Sequence, residues 1–266
     1  MARTGTGSDT WSSGERYEPY VGRWSRRVAE RFVAWLDLPP GLRWLDVGCG
    51  TGALTEAVLL DAAPASVLGV DPSPGFLGHA AATVPDPRAT FALGDARALP
   101  VADHSVDAVV SGLVLNFVPD PAAALAEFRR AARPGGTVAF YVWDYAGGMQ
   151  MMRWFWDVAV ELDPAAAAQH EGSRFALCRP DPLRDLAAAA GLAGVDVTEI
   201  VVPTVFPDFD DYWTPFLSAQ APAPSYVASL DDDRRTALRE ALRDRLPTAD
   251  DGTISLTARA WAVRGH

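Results

Sequence analysis

The chain has 266 residues, 49% of them apolar, which is enough for one large core and too apolar for wholesale disorder. Its formal charge is −11, from 23 basic and 34 acidic residues, and such a surface repels a phosphate backbone, which disfavours nonspecific nucleic-acid binding, so the reading is no nucleic-acid partner. The basic side chains are arginines without one lysine, which excludes Schiff-base and phosphate-loop lysine chemistry; Cys49 and Cys178 alone are too few for a metal cluster or a disulfide framework. No charged and apolar leader and no run of 18 apolar residues occurs, so the reading is one cytoplasmic domain over 1–266 with no membrane association.

Residues 1–15 are rich in Gly, Ser and Thr and read as a mobile lead-in. In Val28–Leu36, Val28, Phe32 and Trp35 recur at helical spacing and predict a helix packed on the sheet. Trp44-Leu45-Asp46-Val47 is then an apolar run ending near an acid, followed by Gly48-Cys49-Gly50-Thr51-Gly52 and a helical pattern from Ala53. This predicts a buried strand, a tight turn and a helix N-terminus. Glycines there admit φ > 0 and a close ligand, and the helix start adds unpaired N–H groups. Ser66–Asp71 is a second strand ending in an acid, 19 residues after Gly52, with Ser73 and Pro74 opening a helix. A carboxylate at Asp71 can accept from both hydroxyls of a ribose.

Ala89–Leu93 predicts a third strand, with Asp95-Ala96 after it, and His104 falls in a surface loop. Val106–Leu115 is nearly all apolar, as a strand covered on both faces should be. Asp120-Pro121 caps a helix that ends before the Arg133–Gly136 turn, and Thr137–Trp143 is the fifth strand. Residues 144–180 are rich in methionine and aromatic side chains, which suit a surface that repacks around an apolar guest but equally suit plain core. A helix from Asp181, a strand at Val195–Val202, a second insertion at 208–250 with Tyr212, Trp213, Phe216 and a charged helix, and a strand at Thr253–Val263 close the chain.

The string Asp46-Val47-Gly48-Cys49-Gly50-Thr51-Gly52 resembles the first motif of class I S-adenosylmethionine-dependent methyltransferases, of the small-molecule branch that acts on ubiquinone-type and natural-product acceptors. Asp71–Leu77, Gly94-Asp95-Ala96 and Arg133–Gly136 are similar to further segments of that family. The resemblance implies an α/β fold with a doubly wound, seven-stranded, mostly parallel Rossmann-like sheet in the order 3-2-1-4-5-7-6. It implies an N-terminal lid and helix over 1–36 and substrate-cap insertions at 144–180 and 208–250. It implies S-adenosylmethionine as cofactor, held by Tyr20, Trp24, Asp46, Gly48, Cys49, Gly50, Asp71, Pro72, Asp95, Ala96, Gly112 and Leu113. The carboxylate of Asp95 would accept from the adenine amine, and the Ala96 N–H would donate to a ring nitrogen. A small-molecule methyl acceptor would then dock against Met149, Met152, Trp154, Trp156 and Trp213. Relatives often carry histidines where Asn116-Phe117 stands, so base candidates move to His170, Glu171, Tyr145 and Asp144, or no base is used. Two other readings stay open at this point: an NAD-dependent oxidoreductase, which shares the fold and the ribose acid, and a noncatalytic S-adenosylmethionine-binding protein.

Overall fold

The computed structural model describes residues 22–218 and 222–266; the lead-in and Tyr20 lie outside them. Strands β1 (Arg43–Val47), β2 (Ser66–Asp71), β3 (Ala89–Leu93), β4 (Val106–Gly112), β5 (Ala132–Trp143), β6 (Asp196–Phe206) and β7 (Ile254–Gly265) form one sheet. Its order is β3-β2-β1-β4-β5-β7-β6. The first five strands are parallel, and β7 runs antiparallel to β5 and β6. This is the doubly wound, mostly parallel sheet that the sequence predicts. β1 and β4 are buried along nearly their whole length, which is why they read as continuous apolar runs. The chain leaves β1 towards β2 on one side and later returns to β4 on the other. That reversal opens a crevice at the carboxyl ends of β1 and β4, where open α/β sheets bind ligands.

Helices α1 (Arg23–Leu36), α2 (Ala53–Asp61), α3 (Pro74–Thr83) and α4 (Pro121–Ala131) belong to the first half of the described chain. The predicted caps form: Ser73 accepts from the Phe76 N–H at 3.4 Å and Asp120 from the Ala123 N–H at 2.9 Å. Helix α1 begins earlier than the Val28–Leu36 pattern suggests. Trp24, Val28, Phe32 and Leu36 fall on one stripe at four-residue intervals, and all are buried. Trp24 meets Phe206 edge-on at 5.6 Å and is a buried residue of this helix; the rest of the expected lid lies outside the described residues. On the same helix, Arg27 donates to the Pro203 carbonyl at 3.0 Å and Arg31 to the Val201 carbonyl. Both carbonyls belong to β6, so α1 satisfies part of an edge strand that would otherwise present open backbone groups.

The Arg133–Gly136 turn is carried inside β5 as a bulge. Val106 pairs with Ala132, but the next β4 partner, Ala108, pairs with Thr137. The Asp107 carboxylate explains the loop: it accepts from Arg43 Nε at 3.0 Å and from Arg133 Nε at 2.7 Å, tying β1, β4 and the bulge together. Arg43 holds this carboxyl down at about 2, below the usual carboxylate range.

The remaining helices are α5 (Gln150–Leu162), α6 (Glu171–Arg174), α7 (Pro180–Ala189), α8 (Phe209–Trp213), α9 (Pro222–Ser229) and α10 (Asp232–Arg245). Segments 144–180 and 208–250 pack on each other through aromatic rings. Phe155 stacks on Phe216 at 4.5 Å, and Trp156 meets Tyr226 at 5.6 Å. The Tyr212 hydroxyl donates to the Met151 carbonyl at 2.9 Å. The start of the first segment is fastened to β7 by Asp144, which is 4% exposed and accepts from Arg259 Nε at 2.8 Å and from the Gly147 N–H at 2.9 Å. Asp144 thus fastens the insertion to β7 through a buried carboxylate paired with a guanidinium.

Trp156 is fully buried in this aromatic cluster. Truncation in Trp156→Ala is expected to cost ~3–5 kcal/mol of stability, as for other buried large-to-small changes. Urea denaturation checks it, and a wild-type midpoint would contradict the packing described.

Candidate functional site

The site begins with Asp46, near the end of β1. Its side chain has no solvent exposure. The Thr55 hydroxyl, from α2, donates to Oδ2 at 2.7 Å, whereas Oδ1 has no hydrogen-bond partner. Burial pushes the Asp46 carboxyl up to about 7, and the neighbouring charge of Asp71 adds to this.

The turn after Asp46 depends on glycine. Gly48, Gly50 and Gly52 have φ of 73°, 52° and 91°. A Cβ at Gly48 would also stand 2.5 Å from Val114 Cγ2, so that position is closed to side chains twice over. The N–H groups of Gly48 and Cys49 donate to the Val70 carbonyl at 2.7 and 3.1 Å, which binds the turn to β2. The Gly50 N–H donates to Asp71 Oδ2 at 3.0 Å and the Ser73 N–H to Oδ1 at 2.8 Å. Each Asp71 oxygen therefore has one backbone donor and keeps lone pairs for a ligand. Burial raises the Asp71 carboxyl above its ordinary range.

A cavity of about 330 Å³ opens over this turn. Of the predicted cofactor contacts, Asp46, Gly48, Cys49, Gly50, Asp71, Pro72, Gly112 and Leu113 line it. Leu113 adopts φ 62°, a left-handed conformation that costs a non-glycine residue ~1–2 kcal/mol. Its N–H donates to the Tyr141 carbonyl at 2.8 Å, and the strain sits on the cavity wall, where strained backbone often marks function. Two carboxylates face this space, and among the described lining residues there is no arginine, lysine or histidine. Such a wall attracts a cation and repels a pyrophosphate.

Other predicted contacts lie elsewhere. Trp24 is in the core, as above. Asp95 and Ala96 are not on the cavity wall. The Asp95 side chain is 46% exposed and pairs with Arg97, Oδ2 to Nη2 at 2.5 Å, which holds its carboxyl down at about 2. An arginine two residues on competes for that carboxylate, and its presence in the sequence was the available signal. The sequence reading missed Ser25, Phe76, Val114, Phe117 and Tyr141, all on the wall. Gly112 hints at Tyr141, because a Cβ there would stand 2.5 Å from the phenol oxygen.

The predicted acceptor contacts are mostly spent on packing. Met149, Met152, Trp156 and Trp213 are buried, Trp154 is half-buried, and none lines this cavity. The apolar face of α5 packs against the second segment. Contact between insertion and cavity runs instead through Phe175, whose ring meets Phe117 edge-on at 5.4 Å and Tyr145 at 4.9 Å.

Of the base candidates, Tyr145 is buried and off the wall. His170 is half-buried and stacks on Trp156 at 5.9 Å. Its Nδ1 accepts from the Gly172 N–H at 2.9 Å, and burial lowers its pKa. The side chain of Glu171 lies outside the description. No cluster of His, Cys, Asp or Glu fit to hold a metal occurs among the described residues, and no described helix is long and apolar enough to cross a membrane.

Comparison with known proteins gives a consistent picture. A family model described as "Methyltransferase domain" matches residues 45–140. A malonyl-[acyl-carrier protein] O-methyltransferase of Dechloromonas aromatica is 32% identical over 185 residues, 69% of this chain and 64% of that protein. A demethylmenaquinone methyltransferase of Roseiflexus sp. is 40% identical over 105 residues, 39% of this chain and 44% of that protein. The chain thus spans less than two thirds of the length of these curated relatives. Among solved structures, a Haemonchus contortus phosphoethanolamine N-methyltransferase 2 in complex with S-adenosylhomocysteine shares the fold. Its TM-score is 0.57 at 17% identity, over 94% of this chain and 56% of that one.

Asp46 makes a pH-dependent forecast for the ligand-free protein. Its carboxyl is raised from 3.8 to about 7, so between those values the folded state binds a proton that the unfolded state has lost. Its contribution is complete below the unfolded value and is lost as pH rises through the folded value. Asp46→Asn, which stays neutral, is expected to lose less stability between pH 5 and pH 8 than wild type. Urea denaturation at the two pH values checks this, and equal losses would contradict the assignment.

Proposed function

We propose that this chain, whose residues 45–140 match a methyltransferase domain model, is a class I S-adenosylmethionine-dependent methyltransferase that transfers a methyl group to a small, neutral, largely apolar acceptor in the cytoplasm. The observation that carries this reading is the pairing of an unpartnered Asp46 oxygen with Asp71 in a cavity wall whose described residues include no basic side chain. S-adenosylmethionine is cationic at sulfur and at its amino group and carries no phosphate. A dinucleotide would bring a pyrophosphate against two carboxylates, with no basic side chain among the described lining residues to offset them.

The residues divide the work as follows. Asp71 would take the ribose hydroxyls, with its oxygens already aligned by the Gly50 and Ser73 N–H groups. The Gly48–Gly50 backbone would meet the ligand without side chains in between, and Asp46 would face its cationic end. Asp95 and Ala96 remain the proposed partners of the adenine edge, with the Asp95 carboxylate shared between Arg97 and the ligand. The cofactor supplies an electrophilic methyl group on a sulfonium sulfur, so the protein need not provide a nucleophile. Its part is to hold the acceptor and exclude water, and fixing two reactants in place can lower a barrier by ~7–11 kcal/mol. Phe76, Phe117 and Tyr141 supply apolar and aromatic wall for this. With no histidine on the described wall and both carboxylates assigned to the cofactor, the acceptor is one that ionises readily: a phenol, an enol or an activated carbon. The demethylmenaquinone methyltransferase among the relatives supports that class.

Two measurements test the reading. Calorimetric titration with S-adenosylhomocysteine should show Asp71→Ala weakened by ~1.5–3 kcal/mol, the usual worth of hydrogen bonds to a charged group. An unchanged dissociation constant would contradict the ribose assignment. Incubation with methyl-labelled S-adenosylmethionine and a panel of phenols and quinols should label at least one member; a panel left entirely unlabelled counts against the acceptor class.

A further inference from the structure

A second cavity, of about 270 Å³, shares no lining residue with the first. Its walls come from the end of α5, from α9 and from the first turns of α10. The volume is close to the ~300 Å³ lower end of small-molecule sites, so the space suits a small occupant. Leu162, Leu230 and Leu238 give it an apolar side, and Asp163, Tyr226 and Arg234 are its polar side chains. Tyr226 is 6% exposed, its ring held against Trp156 at 5.6 Å and Phe155 at 6.2 Å. The hydroxyl makes no hydrogen bond among the described residues, although a buried phenol ordinarily finds a partner. Packing alone would be served equally by phenylalanine. The two charges beside it are also uncommitted on one side. Asp163 accepts from the Ala165 N–H at 3.0 Å through Oδ1 and keeps Oδ2 for another donor. Arg234 approaches Asp231 at 3.7 Å through Nε, and its Nη groups have no partner among the described residues. Asp163 and Arg234 therefore share one cavity without pairing with each other. Burial raises the Tyr226 pKa, Asp163 adds to the rise and Arg234 opposes it, so both charges act on the same phenol.

We propose that this cavity binds a small apolar α-amino acid as its zwitterion. The ligand's ammonium group donates to Asp163 Oδ2. Its carboxylate accepts from the Arg234 guanidinium, whose planar fork suits that group, and from the Tyr226 hydroxyl. Its side chain lies against the three leucines. The wall selects against simpler ions: a carboxylate without an ammonium group would face Asp163, and an amine without a carboxylate would face Arg234. No residue of the first cavity takes part, so the inference stands apart from the methyl-transfer reading.

The test is calorimetric titration of the full chain with L-phenylalanine, and separately with 3-phenylpropionate and 2-phenylethylamine, which each carry one of its two charges. The expected result is saturable binding of L-phenylalanine with a dissociation constant below about 1 mM, and binding at least fivefold weaker for each single-charge analogue. Tyr226→Phe keeps the ring packing and removes the hydroxyl, and Arg234→Gln changes an exposed helix position. Each should weaken L-phenylalanine at least fivefold while the melting temperature stays at the wild-type value. Excess S-adenosylhomocysteine should leave the isotherm unchanged, because the amino-acid end of that ligand belongs to the first cavity. The proposal is overturned if wild type does not bind L-phenylalanine in this range, if either analogue or either variant shows less than a fivefold loss, or if S-adenosylhomocysteine competes. Should Tyr226→Phe fail to fold, Arg234→Gln decides the point alone.

Discussion

A carboxylate cut off from water must find a counter-charge or keep its proton, and Asp46 stands at that choice. Removing such a group from solvent costs several kcal/mol unless it is paired. The protein supplies one donor, the Thr55 hydroxyl, and leaves the other oxygen without a partner. Asp71, on the neighbouring strand, adds a second negative group to the same space. The ligand-free protein answers by raising both carboxyls, Asp46 to about 7. A bound cation answers it better. The local fold arranges this tension: α2 brings Thr55 to Asp46, and the turn before α2 brings the Gly50 N–H to Asp71.

The turn and the fourth strand are fitted to each other. Gly48 has no room for a Cβ because Val114 occupies that space, and Gly112 has none because the Tyr141 phenol does. Leu113 between them takes a left-handed backbone to make the fit. β1, β4 and β5 thus reach the cavity as one unit, pinned at their opposite ends by Asp107 with Arg43 and Arg133. A rigid floor of this kind is what catalysis by placement needs, since a displaced acceptor forfeits most of the benefit.

The parts that were legible in the sequence are those written locally. Asp46, the glycine turn and Asp71 follow from residue type and spacing, because positive φ and a strand-end acid are properties of single positions. Strand order followed from the resemblance, and the parallel core strands showed themselves as unbroken apolar runs. Legibility failed where partners come from far along the chain. Ser25, Phe117 and Tyr141 meet only after the sheet has assembled. Trp24 was read with the polar stretch before it, although it sits four residues ahead of Val28 on the same helical stripe. The methionines and tryptophans of the first insertion could be pocket or core on composition alone. The partner that decides, the Phe216–Tyr226 cluster, lies over fifty residues downstream.

The central claim is that this cavity takes a cationic S-adenosyl ligand and not a dinucleotide. Isothermal calorimetry of the wild-type protein against S-adenosylmethionine, and separately against oxidised NAD, tests it most directly. The account expects a saturable one-to-one isotherm with S-adenosylmethionine and no saturable heat with NAD. Saturable NAD binding in a protein that ignores S-adenosylmethionine would contradict it.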